Sequence, residues 1–148
     1  RMADEDITLI SCNINVSNPK KPLDFKILLD GNEIYSIKTT ESNYTFEHNL
    51  SDNEASHLLE FQLSGKDNCH TVVDKDGNVI ESAQISITDI SFEEINLSPI
   101  IHTFTTYEHD YNGHGAKIED EYSEIMGWNG TVKIPFTTPI YFWLLEHM

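Results

Sequence analysis

The sequence predicts an all-β fold, an antiparallel β-sandwich or jelly roll closed by a short C-terminal helix. Three observations carry that expectation. Apolar and polar residues alternate with period two along most of the 148 residues, the pattern of strands with one buried face. Polar turn clusters separate these runs at short, fairly even spacing, as sandwiches and jelly rolls require. Helical periodicity is nearly absent before the C-terminus.

The elements follow in order. Ile10, Cys12, Ile14 and Val16 share one face of the first clear strand, which makes Cys12 a small core residue. Phe25, Ile27 and Leu29 alternate with Asp24, Lys26 and Asp30. Asp30-Gly31-Asn32 then supplies the positive-φ residues of a hairpin turn, and Ile34 to Lys38 returns. Tyr44-Thr45-Phe46 is a short strand, and Leu59, Phe61 and Leu63 define another. Val72-Val73 and Val79-Ile80 flank a turn at Asp74-Lys75-Asp76-Gly77-Asn78. Ile85 and Ile87 share a face, but Ile90 and Phe92 fall on the opposite phase, so a β-bulge is expected near Thr88-Asp89.

The last third is less regular. Residues 100–118 read as a strand through about His109 and a long exposed loop region. Ile118 to Ile125 fits either a helix or an irregular edge strand. Asn129-Gly130 is the strongest local turn signal. A two-residue turn there pairs Trp128 with Thr131 and Ile125 with Ile134. It points Ile125, Gly127, Val132, Ile134 and Phe136 to the core and Met126, Trp128, Thr131 and Lys133 outward. Pro135 fits a strand end or an edge. Thr138 is expected to cap a helix over 139–148 with Pro139 at its first position. That segment is apolar on nearly every side and has to bury itself, against its own sheet or another chain. The whole chain reads as one domain with an acidic tail over 1–6.

Composition narrows the partners. The 25 acidic and 9 basic side chains leave a net charge of −16, a field that repels nucleic-acid backbones and anionic lipid. Neither nucleic acid nor a membrane is an expected partner, and no transmembrane span or signal peptide is expected. The two cysteines suggest neither a disulfide framework nor paired zinc-ligand spacing.

No motif points to catalysis. A serine elbow, a positioned Cys–His pair and a glycine-rich phosphate loop are all missing, so a non-enzyme is expected. The Asp74–Asn78 run has oxygen side chains at alternate positions, as a calcium loop might, but also reads as a solvated hairpin turn. His109, Asp110 and His114 lie near one another in a stretch that is either a ligand cluster or an ordinary polar loop. Tyr107, Tyr111, His114 and Trp128 are the candidate ligand-binding residues, because aromatic rings on a loop or outer face suit the C–H faces of sugars. The same rings also suit a cover for the C-terminal helix or a subunit contact.

Two resemblances add to this reading. Phe25-Lys26-Ile27-Leu28-Leu29-Asp30-Gly31-Asn32-Glu33-Ile34, Tyr44-Thr45-Phe46 and His57-Leu58-Leu59-Glu60-Phe61-Gln62-Leu63 resemble the calcium-dependent xylan-binding modules. That resemblance implies a β-sandwich and a carbohydrate ligand, with calcium as the possible cofactor. It places Gly65-Lys66 and Ser82 where those modules carry acidic calcium ligands, so no ligand residue carries over. Tyr107 to Gly113, Met126 to Thr131 and Thr138 to Glu146 resemble uncharacterised proteins of marine tailed phages. That implies a phage context, in the virion or the infected-cell cytoplasm. The expectation is a phage accessory module that binds glycan. Its alternative is a structural protein that contacts virion proteins, or itself as a homo-oligomer, through the C-terminal segment.

Overall fold

The computed structural model describes residues 6–148, so most of the expected acidic tail lies outside the described residues. The fold is an all-β sandwich. One sheet contains β1 (Ile7–Val16), β4 (Asn43–Ser51), β8 (Ile85–Phe92), β9 (Ile95–Asn96) and β12 (Ile125–Met126). The other runs in the order β11 (Ile118–Glu121), β10 (Thr106–His109), β13 (Gly130–Thr138), β5 (Ala55–Ser64), β2 (Asp24–Leu29) and β3 (Asn32–Lys38). β6 (Thr71–Val73) and β7 (Val79–Ser82) form a separate hairpin, and α1 (Ile140–His147) ends the chain. All pairings are antiparallel.

The period-two pattern becomes one core. Ile10, Cys12 and Ile14 of β1 and Ile85 and Ile87 of β8 face Phe25, Ile27, Phe61, Val132 and Ile134 of the second sheet. Burial pushes the Cys12 thiol up to about 12, so it behaves as an apolar side chain. Phe92 of β8 and Phe136 of β13 meet across the sheets with ring centroids 4.8 Å apart. The bulge in β8 exists: pairing with β1 slips between Thr88 and Ser91, with Asp89 at φ 53°, and both Ile90 and Phe92 are buried. Asp30 and Gly31 adopt positive φ in the β2–β3 turn. Ile118–Glu121 is the edge strand of its two alternatives. The strand expected through His109 forms as β10, which inserts between β13 and β11 and buries Tyr107 and His109; the segment before it also buries Ile101 and Thr105, and the exposed loop begins after His109.

The Asn129-Gly130 hairpin does not form. β12 pairs with β8 in the first sheet, whereas β13 pairs with β5 and β10 in the second. The chain therefore crosses between sheets at 127–130. The face assignment inverts before the crossing: Met126 is 0% exposed and Ile125 45%. After it, Val132, Ile134 and Phe136 point inward as expected. Neither residue of the pair has positive φ. Gly130 is needed for close approach instead, since a Cβ there falls 2.2 Å from the Glu108 carbonyl oxygen.

The helix start also differs. Pro139 is the N-cap without a side-chain cap bond, and Thr138 ends β13 with its hydroxyl on the Asn53 carbonyl. Asp52, distant in sequence, accepts the Ile140 N–H at 2.8 Å and the Thr8 hydroxyl at 2.6 Å. Ile140, Trp143 and Leu144 are buried, with Trp143 against Phe92, Phe104 and Phe136. Tyr141, Phe142, Leu145 and Met148 stay exposed. Pro135 sits where β13 has lost its β10 neighbour, whose pairing stops at Lys133, so its missing donor leaves no partner unpaired on that side. Among the described residues no helix is long and apolar enough to cross a membrane.

The crossing has a measurable consequence. Gly130→Ala is expected to lower unfolding free energy by about 2–3 kcal/mol, because the new Cβ meets backbone that cannot swing away. Gly31 has φ +83° and open space around it, so Gly31→Ala is expected to cost only about 1 kcal/mol. Urea unfolding of both variants measures the contrast, and a smaller loss at Gly130 contradicts the crossing.

Candidate functional site

At the start of β13, far from α1, an aromatic cluster forms around a buried histidine. His109 ends β10, is 3% exposed, and lies parallel to Trp128 with centroids 4.7 Å apart and planes 5° apart. Tyr111 stands perpendicular to both, 4.8 Å from His109 and 5.3 Å from Trp128. These three distances form a nearly equilateral triangle. Tyr111 therefore flanks the stacked pair instead of covering the second face of Trp128. Trp128 keeps 38% exposure although one face rests on a buried ring.

Each ring is held by polar contacts. The Tyr107 hydroxyl donates to the Trp128 carbonyl and accepts the Trp128 N–H at 2.9 Å. Burial raises the Tyr107 phenol to about 12, so it keeps the proton it donates. His109 Nε2–H donates to Asp120 Oδ2 at 3.2 Å, and Nδ1 accepts the Tyr111 N–H at 3.3 Å. Tyr111 and Asn112 take left-handed φ values of 54° and 59°. The turn is closed by Asp110, whose carboxylate accepts the Gly113 N–H at 2.9 Å. Gly115 leaves room for the Tyr111 ring, which a Cβ there would meet at 2.9 Å.

The crossing is clamped from both sides. Asn129 accepts the Lys66 N–H at 2.9 Å and donates to the Lys66 carbonyl at 2.8 Å. Its own N–H donates to Asn112 Oδ1 at 2.7 Å. Lys66 Nζ donates to Ser82 Oγ at 2.8 Å and to the Gly127 carbonyl at 2.7 Å. Burial pulls the Lys66 ammonium below the usual lysine range.

Two clefts open beside Trp128, of about 610 Å³ and about 500 Å³, within the size range of small-ligand sites. Lys66, Thr71, Asn112 and Trp128 line both. Exposed apolar side chains gather on their walls: Val73 and Tyr111 on the first, Val79 and Ile125 on the second.

Of the four residues expected to bind ligand, Tyr111, His114 and Trp128 meet at the first cleft. Tyr107 is expected on a loop or outer face but is buried at 3%, because β10 pairs it with Val132 inside the sheet. It still lines the second cleft, where its hydroxyl holds the Trp128 backbone. Of the two readings of His109, Asp110 and His114, the ligand cluster does not assemble, since His109 turns to Asp120 and Asp110 caps its own turn. Among the described residues, Asp67, Cys69 and His70 are grouped within 4.8 Å. Their geometry is a capping box, with His70 Nδ1 accepting the Asp67 N–H and Nε2 donating to the Pro22 carbonyl. Asp74 accepts the Asp76 and Asn78 N–H groups at 2.9 Å, closing a hairpin turn.

The sequence reading missed His109 as the support, Asn112 and Asn129 as fasteners, and Lys66. Only Lys66 had a signal, its place in the resemblance to calcium-dependent modules. The two places aligned with calcium ligands do meet in space, but an ammonium joins them through Ser82. Residues 65–66 and 82 do not fit calcium, because Lys66 already brings a positive charge and occupies the oxygens there.

The stack depends on Asp120, whose carboxyl is held below the usual range first by the His109 hydrogen bond and then by the Glu121 N–H. A carboxyl depressed in the fold contributes stability above its ordinary value and loses it as pH falls through the folded value. Trp128 emission is therefore expected to change as pH falls below about 4, the ordinary carboxylate value. Asp120→Asn is expected to remove this acid transition. An acid transition that Asp120→Asn leaves unchanged contradicts the assignment.

No protein-family model and no curated protein matches the chain. Among solved structures, the chain is similar to vCBM60, a carbohydrate-binding module, in complex with galactobiose. The two are 10% identical, the match covers 85% of this chain and 96% of that one, and the TM-score is 0.49.

Proposed function

We propose that this chain is a non-catalytic carbohydrate-binding module and that Trp128 is its stacking platform. The observation that supports it is the Trp128 ring, backed by buried His109 and exposed toward two clefts. A rigid, half-exposed ring stacks on the apolar face of a sugar at little entropic cost. Asn112, Thr71 and His114 stand beside it to accept or donate to hydroxyls. With Lys66 holding the place the resemblance gives to metal ligands, binding is expected without calcium. The phage setting rests on the spelling of the final third and makes the module an accessory of a virion or of an infected cell.

Trp128→Ala is expected to weaken glycan binding at least about tenfold, the loss typical of a central anchor. Trp128 and buried Trp143 are the two tryptophans, so a shift in emission on glycan titration, absent in Trp128→Ala, reports the platform directly. No binding across a glycan array, with or without calcium, ends this reading.

A second reading is favoured by the exposed apolar stripe Tyr141, Phe142, Leu145 and Met148. It makes the chain a structural protein that associates through α1, with itself or with other virion proteins. Sedimentation velocity is expected to show concentration-dependent association that Phe142→Ser with Leu145→Ser abolishes. A monomer at all concentrations removes the homo-oligomer.

A further inference from the structure

We propose that Lys66 is the anchoring cation of both clefts, and that the glycan they take carries an anionic substituent, carboxylate or sulfate, on one sugar ring. This rests on the glycan reading above and specifies its ligand class.

The placement of Lys66 carries the inference. It is 7% exposed and lines both clefts. Its two acceptors, Ser82 and Gly127, line the second cleft, so the ammonium is part of that wall. An ammonium has three donors, and among the described residues only two have a protein acceptor. Both acceptors are neutral. Lys26, Lys38, Lys117 and Lys133 each pair with a carboxylate; of the described lysines that pair with none, Lys20, Lys21 and Lys75 reach solvent and Lys66 alone is buried. In a chain with 25 acidic side chains, a buried lysine left without one is an unfilled anion site. Its lowered pKa agrees, since an uncompensated buried charge is disfavoured and an anion beside it restores it.

The clefts also limit the charge they accept. Asp67 lines the first, and Asp120 and Glu121 line the second. A glycan charged on every ring is repelled by these groups, whereas one isolated anionic group reaches Lys66 alone. The net charge of −16 acts at longer range and is screened by salt.

Calorimetric titration with three probes tests this: xylotriose bearing one glucuronate, the methyl ester of the same oligosaccharide, and a carrageenan disaccharide bearing one sulfate. The acid is expected to bind about tenfold tighter than its ester, the advantage of one charge-assisted hydrogen bond. Lys66→Gln is expected to erase that advantage, and Lys66→Arg to keep it. Tighter binding of the sulfate than of the acid assigns the substituent to sulfate. Acid and ester binding equally to the wild type, with sulfate binding that Lys66→Gln leaves unchanged, overturns the inference. If that equal binding is still lost in Trp128→Ala, the glycan reading stands without it. If no probe binds and the glycan array is also blank, both fall. The acid–ester contrast in the wild type requires no variant to fold.

Discussion

The reciprocal amide clamp between Asn129 and the Lys66 backbone sets the geometry of the functional end. It ties the exit of β5 to the segment where the chain leaves one sheet for the other. The same segment bonds to Asn112 through the Asn129 N–H and to the Lys66 ammonium through the Gly127 carbonyl. Trp128 lies inside this knot, with its own N–H and carbonyl held by one buried phenol. A side chain that is half exposed thus has a backbone with no freedom. That is the condition for a binding residue that loses little entropy on contact.

β13 divides the molecule's surface chemistry. Its first residue passes so close to β10 that only glycine fits, and its last leads directly into α1. At the start stand the clefts with their aromatic and aliphatic rim. At the end, about 27 Å away by strand rise, α1 buries one side under Phe92, Phe104 and Phe136 and leaves the other exposed. The two apolar surfaces have different company. The clefts combine rings with a buried cation, hydroxyls and amides, which suits a polar ligand with an apolar face. The helix stripe is aliphatic and aromatic alone, which suits a protein surface.

Particular residues show where reading the chain succeeded and where it failed. The β8 bulge was legible because Ile87 and Ile90 cannot face one core without an extra residue. The Asp30-Gly31 turn was legible because its neighbours in sequence are its partners in space. Asn129-Gly130 carries as strong a turn signal, yet its amide closes on Lys66, 63 residues away, and its glycine serves a neighbouring strand. With the hairpin gone, Ile125 and Met126 exchange faces, since a shift of one position turns every side chain over. Thr138 carries a cap signature for the same local reason, while the carboxylate that accepts the first helical N–H is that of Asp52.

Among the candidate site residues, the aromatics were visible by type and their roles were not. Tyr107 and Trp128 look alike as rings near a loop. Only the pairing of β10 with β13 buries one and leaves the other open. The sequence by itself determined the sandwich, its core faces and the crowd of aromatics in the final third, because alternation and turn chemistry act between near neighbours. The tertiary structure alone decided which sheet each strand after Glu121 joins, that His109 backs Trp128, and that Lys66 stands buried with no carboxylate bonded to it among the described residues. Those outcomes depend on contacts between distant segments, where long-range packing overrides local preference.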